Sequence, residues 1–185
     1  MPVHDNRVVT MLVLVVGPSG AGKDTLLDAA KQALADNRRF RFVRRAVTRE
    51  ADAGSEAHEP VTEAEFAKCD FVLQWQAHGL CYGIPAGAIA DGIVTIANVS
   101  RTIIVEAASR FPVRVIEVTA SQDVRAARLA SRGREDATEI AARLARSVAI
   151  PGDIPVETVV NDGSLDDGLK HFLAALNRAA ADAPR

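Results

Sequence analysis

Cysteine, aromatic residues and net charge are all scarce in this sequence. Its two cysteines, Cys69 and Cys81, form no CxxC pair and have no matching pair of histidines, which argues against a disulfide framework or a zinc site. Two such thiols are typical of a cytoplasmic protein, where they stay reduced. A net charge of -2 argues against a general nucleic-acid binder. With 4% aromatic and 48% hydrophobic residues, the core must consist mostly of Val, Leu, Ile and Ala.

Long hydrophobic runs are absent apart from residues 8–16. This run is too short to span a bilayer. It leads directly into the letters GPSG, where an export signal would carry a small-residue cleavage site. We therefore expect no membrane partner and interpret the run as a strand covered on both faces in a parallel sheet.

Strand-like and helix-like segments alternate along the chain, which predicts an α/β fold with a parallel sheet and helices on both faces. The predicted strands cover residues 8–16, 40–47, 71–76, 93–97, 113–118 and 156–160. The predicted helices cover residues 23–35, 61–66, 85–90, 101–110, 121–131, 138–148 and 164–180. Short strands and turns interrupt the alternation between residues 46 and 85. We interpret that segment as a small substrate-binding insertion in a single domain over residues 1–185.

A glycine-rich motif, G-x-x-x-x-G-K, follows the first predicted strand and precedes the first predicted helix. Its glycines permit tight turns and let backbone N–H groups approach phosphate oxygens, and the helix directs its positive end at the same anion. The alternative is a purely structural glycine turn. The motif predicts a nucleotide-phosphate site made of Gly17, Pro18, Ser19, Gly20, Ala21, Gly22 and Lys23, with Asp24 and Thr25 beside it.

Asp24 occupies the position where this motif usually has the Ser or Thr that binds Mg²⁺. A carboxylate is also a hard oxygen ligand, so we expect Asp24 to hold Mg²⁺ directly or through water, with Thr25 as a helper. The alternative is that Asp24 only stabilises the first helical turn through the helix dipole.

An arginine-rich segment predicts a mobile lid over about residues 132–146, because Gly133 interrupts the helix there. Arginines that arrive on closure stabilise the charge of a transferring phosphoryl group and exclude water. The alternative is a solvated face paired with neighbouring acidic residues. The arginines of the segment are Arg125, Arg128, Arg132, Arg134, Arg143 and Arg146, of which we assign Arg132, Arg134 and Arg143, together with Lys23, to catalysis.

Cationic and polar side chains on both sides of the insertion, and after the strand at 93–97, predict a second anion site. Arg and His donate to phosphate, and Tyr and Asn donate to phosphate or to hydroxyl groups. Taken singly, His78 and Tyr82 are equally well explained as a turn residue and a core aromatic. The candidate ligands are Arg45, Thr48, Arg49, His78, Tyr82, Asn98 and Arg101.

These motifs resemble the guanylate kinase family over nearly the whole chain. The resembling segments are 17–23 for the phosphate loop, 48–49 and 78–83 for the acceptor site, 128–144 for the lid and 161–165 for the last strand-to-helix turn. The resemblance implies a three-layer P-loop NTPase sandwich with a parallel central sheet, ATP and Mg²⁺ as cofactors, Arg49 and Tyr82 on the acceptor phosphate, and Arg132 and Arg143 in the lid.

The guanine-reading residues of that family are missing. Asp52 replaces its second acceptor arginine, and its acidic guanine reader is absent near residues 75–78. The pattern GPSGxGKD, TR…HE, W-x-AHGL-x-YGIP and N-x-SR instead resembles the ribose 1,5-bisphosphate phosphokinases, a branch linked to bacterial phosphonate breakdown. That resemblance implies phosphorylation of ribose 1,5-bisphosphate, a small phosphorylated sugar, to 5-phosphoribosyl 1-diphosphate.

Two other functions remain open from the sequence. One is a nucleoside monophosphate kinase, for GMP or another nucleotide, with altered specificity. The other is a non-catalytic binding module on a degenerate kinase fold, against which the intact Lys23 and the lid arginines argue.

Overall fold

The computed structural model describes residues 11–50, 58–131, 149–150 and 152–183. Nine strands lie in this part of the chain. In chain order they are β1 (Leu12–Val16), β2 (Phe40–Phe42), β3 (Ala46–Val47), β4 (Glu59–Pro60), β5 (Phe71–Ala77), β6 (Leu80–Pro85), β7 (Val94–Asn98), β8 (Val113–Thr119) and β9 (Val156–Val160).

The central sheet has the strand order β2-β7-β1-β8-β9, and every neighbouring pair is parallel. Its middle strand β1 reads Leu-Val-Leu-Val-Val, and all five residues are fully buried. A continuous apolar run is what a parallel strand covered on both faces requires. The predicted parallel sheet is therefore confirmed.

A second, smaller sheet has the order β4-β3-β6-β5 and contains both parallel and antiparallel pairs. All its strands come from residues 46–85. The prediction of one strand over 40–47 was wrong. Its first part is β2 of the central sheet, and its last part is β3 of the second sheet. Strand β6 was not predicted as a strand at all.

The helices are α1 (Lys23–Ala33), α2 (Glu63–Phe66), α3 (Ile104–Arg110), α4 (Gln122–Ser131) and α5 (Leu165–Ala181), with short 3₁₀ turns at Ala86–Ala88 and Arg101–Ile103. Thr62 and Glu65 form a capping box at the start of α2, as their Thr-x-x-Glu spacing in the sequence predicts. The helix predicted over 85–90 is only the 3₁₀ turn at Ala86–Ala88, and Pro85, its N-cap, also ends β6. The predicted helix at 138–148 lies outside the described residues. None of the described helices is long and apolar enough to cross a membrane.

Alternate residues of β1 face two different cores, because side chains point to opposite sides along a strand. Val13 and Val15 pack on the side of α1 and α5, where Phe172 is fully buried. Leu12 and Leu14 pack on the side that holds α3 and the second sheet. One outer layer is therefore helical, whereas the other combines a helix with a sheet. This arrangement packs the second sheet against β1 on the same side as α3.

Candidate active site

The glycine motif forms the loop that joins β1 to α1. Gly20 and Gly22 have φ angles of +80° and +85°, in the left-handed region that favours glycine. A Cβ on Gly20 would come within 2.8 Å of the Arg125 carbonyl oxygen, and one on Gly22 within 2.5 Å of Asn161 Nδ2. Gly22 also caps α1 without a side-chain hydrogen bond. The first N–H groups of α1 therefore lie at the end of this loop, as a phosphate site requires.

Three side chains donate hydrogen bonds to two carbonyl groups of this loop. Arg125 Nε donates to the Ser19 carbonyl at 3.0 Å, and Asn161 Nδ2 donates to the Ala21 carbonyl at 2.8 Å. Arg128 adds a longer contact of 3.5 Å to the same Ala21 oxygen. We grouped Arg125 and Arg128 with the lid from the sequence, but the structure shows that they brace the phosphate loop.

Lys23 lies in the loop that its motif predicts. Its Nζ donates to the Gly17 carbonyl at 2.9 Å and to the Pro18 carbonyl at 3.4 Å. These bonds hold the ammonium group across the loop, where it lines the adjoining cleft. A compact cation at this point suits the outer phosphates of a nucleotide.

Asp24 follows in the first turn of α1, and its Oδ1 accepts a 2.9 Å hydrogen bond from Asn98 Nδ2. Asn98 ends β7 and is only 7% exposed. Thr25, predicted as a helper, is exposed on α1. A carboxylate beside a phosphate loop fits Mg²⁺, which usually binds one or two carboxylates together with substrate phosphates.

A cleft of about 300 Å³ lies between the phosphate loop and the second sheet. The structure brings ten of the sequence-predicted residues to its walls: Gly17, Pro18, Ser19, Lys23, Arg45, Arg49, His78, Tyr82, Asn98 and Arg101. The predicted residues that do not line it are Gly20, Ala21, Gly22, Asp24, Thr25 and Thr48. Arg132, Arg134 and Arg143 lie outside the described residues.

Arg45 lies over a pair of stacked aromatic rings. Trp75 on β5 and Tyr82 on β6 are directly paired in the sheet, and their rings are 5.4 Å apart at an angle of 8°. The Arg45 guanidinium carbon is 5.4 Å from the Tyr82 centroid and 5.9 Å from that of Trp75. Cation–π attraction therefore holds a positive charge at the cleft wall. Trp75 is a buried packing residue, but it also lines the cleft.

Arg101 forms an ion pair with Glu117, which sequence reasoning missed. The Nη2–Oε1 distance is 2.5 Å, and the side chains are 14% and 27% exposed. Arg101 Nε is buried and has no hydrogen-bond partner within the described ranges. Burial, and then the nearby charge of Arg101, lower the pKa of the Arg125 guanidinium. The Arg101 and Arg125 guanidinium groups therefore lie close enough to repel each other.

His78 and Gly79 form the two-residue turn between β5 and β6, with φ angles of +53° and +73°. Two positive φ angles are typical of the tight hairpin turn that matches the twist of paired strands.

Thr48 does not line the cleft, because its Oγ1 accepts the Cys81 N–H at 2.9 Å and ties β3 to β6. His58 is 4% exposed, and its Nε2 lies 3.1 Å from the Arg49 carbonyl oxygen, so it supports the segment that carries Arg49.

The parallel sheet and the phosphate loop define the class of protein: the fold is that of the guanylate-kinase-like P-loop kinases. The guanylate kinase from Anaplasma phagocytophilum has a similar structure, with a TM-score of 0.59 and 16% identity over 93% of this chain and 87% of that one. At this identity the likeness shows the fold alone. No protein-family model matches the chain.

Curated relatives identify the particular family. The chain is 48% identical over 177 residues to the ribose 1,5-bisphosphate phosphokinase PhnN of Brucella melitensis. The aligned residues cover 91% of this chain and 92% of that protein. It is 48% identical over 173 residues to the protein of the same name from Acidiphilium cryptum, with 90% and 92% covered. The chain therefore belongs to the ribose 1,5-bisphosphate phosphokinase family.

Proposed function

We propose that this protein transfers the γ-phosphoryl group of ATP to the 1-phosphate of ribose 1,5-bisphosphate. The products are 5-phosphoribosyl 1-diphosphate and ADP. The family's name supports this acceptor. The observation that carries the proposal is one cleft with a phosphate loop on one wall and a separate set of cations, Arg45, Arg49 and Arg101, around the rest.

The phosphate loop is the proposed nucleotide side of the cleft. Its backbone N–H groups and the N-terminus of α1 would hold the β- and γ-phosphates, and Lys23 would contribute a charge-assisted contact. Asp24 is the residue that would hold Mg²⁺, directly or through a bound water. A magnesium ion bound there would supply positive charge beside the phosphates of the nucleotide.

The second sheet and the end of β7 are the proposed acceptor side. A sugar with two phosphates needs cations at both ends and polar groups between them. Arg45 and Arg49 flank β3 and Arg101 follows β7, so the three cations line the cleft from two different elements. His78, Tyr82 and Asn98 offer additional donors at the same cleft.

The chemistry proposed for this site needs no general base. The attacking group is a phosphate oxygen that is already ionised at neutral pH. Catalysis then consists of positioning the two phosphates in line and stabilising charge on the transferring group. We assign the lid arginines Arg132, Arg134 and Arg143 to that stabilisation on closure.

An acceptor screen tests the proposed substrate. ADP formation from Mg-ATP would be measured with ribose 1,5-bisphosphate, ribose 5-phosphate, GMP and AMP at equal concentrations. We expect kcat/KM for ribose 1,5-bisphosphate to exceed that for GMP by about 10⁴, because a site built for one set of polar groups rejects analogues that leave them unpaired. Higher activity with GMP would identify a nucleotide kinase instead. No ADP from any acceptor would favour the binding module.

A further inference from the structure

One contact at the proposed metal site joins two distant parts of the sequence. Asp24 lies in the first turn of α1, and Asn98 lies at the end of β7, 74 residues later. Asn98 is brought there by the central sheet, in which it is the direct partner of Val15 on β1. The Asn98 side chain borders the large cleft on one side and a smaller hollow with Asp24 on the other.

The residue types at these two positions are the reverse of the usual arrangement. In P-loop NTPases, Mg²⁺ is held by a neutral Ser or Thr hydroxyl at the start of the helix and by an acid at the end of a strand. Here the acid is Asp24, at the start of the helix, and the neutral side chain is Asn98, on the strand next to β1. The two positions together still carry one negative charge, but that charge lies on the helix and not on the strand.

In the hydrogen bond between these residues, Asn98 is the donor and Asp24 is the acceptor. An ionised carboxylate can only accept, so the Asn98 amide must donate, and its Nδ2 lies 2.9 Å from Asp24 Oδ1. A carboxylate at position 98 would place like charges in contact. Within the described part of the chain, the Asp24 carboxylate makes no other hydrogen bond. The Asn98 amide therefore fixes the rotation of this carboxylate and leaves Oδ2 for another ligand.

We propose that Asn98 is a positioning residue that orients the Asp24 carboxylate towards the magnesium of the bound nucleotide. This inference rests on the proposed use of Mg-ATP and assigns Asn98 a task beyond the acceptor contact predicted from the sequence. Groups that hydrogen-bond a metal ligand fix its orientation, and their loss typically costs about 10- to 100-fold in metal affinity.

A double-mutant cycle tests this role without catalysis. ADP binding is measured by calorimetry in Mg²⁺ and in EDTA for the wild type, Asp24→Asn, Asn98→Ala and the double variant. The ratio of the two dissociation constants reports the contribution of the metal. We expect Asn98→Ala to lower this ratio about tenfold in the wild type and to have no further effect when Asp24→Asn is present. Equal losses in both backgrounds would overturn the proposal, as would a wild type whose ADP affinity does not depend on Mg²⁺.

The exchanged pair Asp24→Asn with Asn98→Asp is a second, independent test. It restores one carboxylate and one amide in contact, with the acid on the strand as in other P-loop proteins. We expect the exchanged variant to recover at least part of the Mg²⁺ dependence of ADP binding that Asp24→Asn alone loses. If its ADP binding depended on Mg²⁺ as little as that of Asp24→Asn, the proposal would be contradicted. ADP binding in EDTA controls for folding. Failure of either test in a wild type that phosphorylates ribose 1,5-bisphosphate would refute the role of Asn98 but not the proposed function.

Discussion

Replacing Asn161 with alanine should weaken the phosphate loop without touching the cleft. The Asn161 side chain is 5% exposed and donates to the Ala21 carbonyl at 2.8 Å. Its carboxamide fits between two glycines, since a Cβ on Gly22 or on Gly168 would overlap it. Its backbone N–H bonds to the Thr119 carbonyl and would be unaffected. The substitution therefore removes one side-chain brace and leaves the strand in place.

The free-energy cost of Asn161→Ala comes from the Ala21 carbonyl group, which loses this hydrogen-bond donor. Ala21 is fully buried, and the only other side chain near its carbonyl is Arg128 at 3.5 Å, within the described residues. Leaving a buried acceptor unsatisfied costs about 1–3 kcal/mol. For a chain of this size, each 1 kcal/mol lowers Tm by about 2–4 °C. We expect a fall in Tm of several degrees and weaker ADP binding, because the loop loses its fixed geometry.

Thermal unfolding measures the fall in Tm, denaturant unfolding the free-energy cost, and calorimetry the ADP affinity. Asn177→Ala is the matched control, because Asn177 is exposed on α5, the helix that follows Asn161 in the chain. A surface change of this kind should stay within about 0.5 kcal/mol. If Asn161→Ala unfolded like Asn177→Ala and bound ADP like the wild type, the bracing of the loop by Asn161 would be refuted.

Three further substitutions test separate parts of the site. Lys23→Ala should lower ATP turnover by about 10²–10³, the usual loss when one preorganised donor is removed. Lys170 is exposed on α5, so the control Lys170→Ala should leave turnover unchanged. Equal turnover in the two variants would contradict the role of Lys23. Arg45→Lys should raise the acceptor KM about tenfold, because an ammonium stacks poorly on aromatic rings, and an unchanged KM would remove Arg45 from the acceptor site. Glu117→Gln should loosen Arg101 and raise the acceptor KM about threefold, since an ion pair is replaced by a hydrogen bond to a neutral amide. ADP affinity measured by calorimetry should stay the same. A loss of ADP affinity alone would instead assign this ion pair to the nucleotide side.

The phosphate loop and the central sheet could be predicted because their signals are local. Residues 17–23 carry a complete motif, and β1 is an uninterrupted apolar run. The same holds for the capping box at Thr62, whose partner Glu65 lies three residues later. Each of these depends on neighbours a few residues away, which the sequence shows directly.

The second sheet was harder to predict because its strands contain residues typical of turns. Strand β6 includes Gly83 and Pro85, and its hairpin turn uses His78 in a conformation that is uncommon for a non-glycine residue. Strand β3 has only two residues and directly follows a segment that reads as part of β2. Tertiary pairing decided these elements, and local preference did not.

The tertiary contacts of the site could not be derived from spacing. Arg101 meets Glu117, and Asp24 meets Asn98, only because the parallel strands carry them to the same edge of the sheet. Arg125 looked like a lid residue by its position in an arginine-rich segment, yet it bonds to the Ser19 carbonyl. Charge and residue type identified the candidates, while the partner of each depended on the fold.

Phosphorus NMR of the reaction products tests the central claim most directly. The protein would be incubated with Mg-ATP and ribose 1,5-bisphosphate, and the spectrum followed as ADP appears. The proposed function predicts that the 1-phosphate signal is replaced by the coupled pair of a diphosphate, while the 5-phosphate signal remains. ADP that accumulates without a sugar diphosphate, or a diphosphate that forms only when GMP is the acceptor, would contradict it.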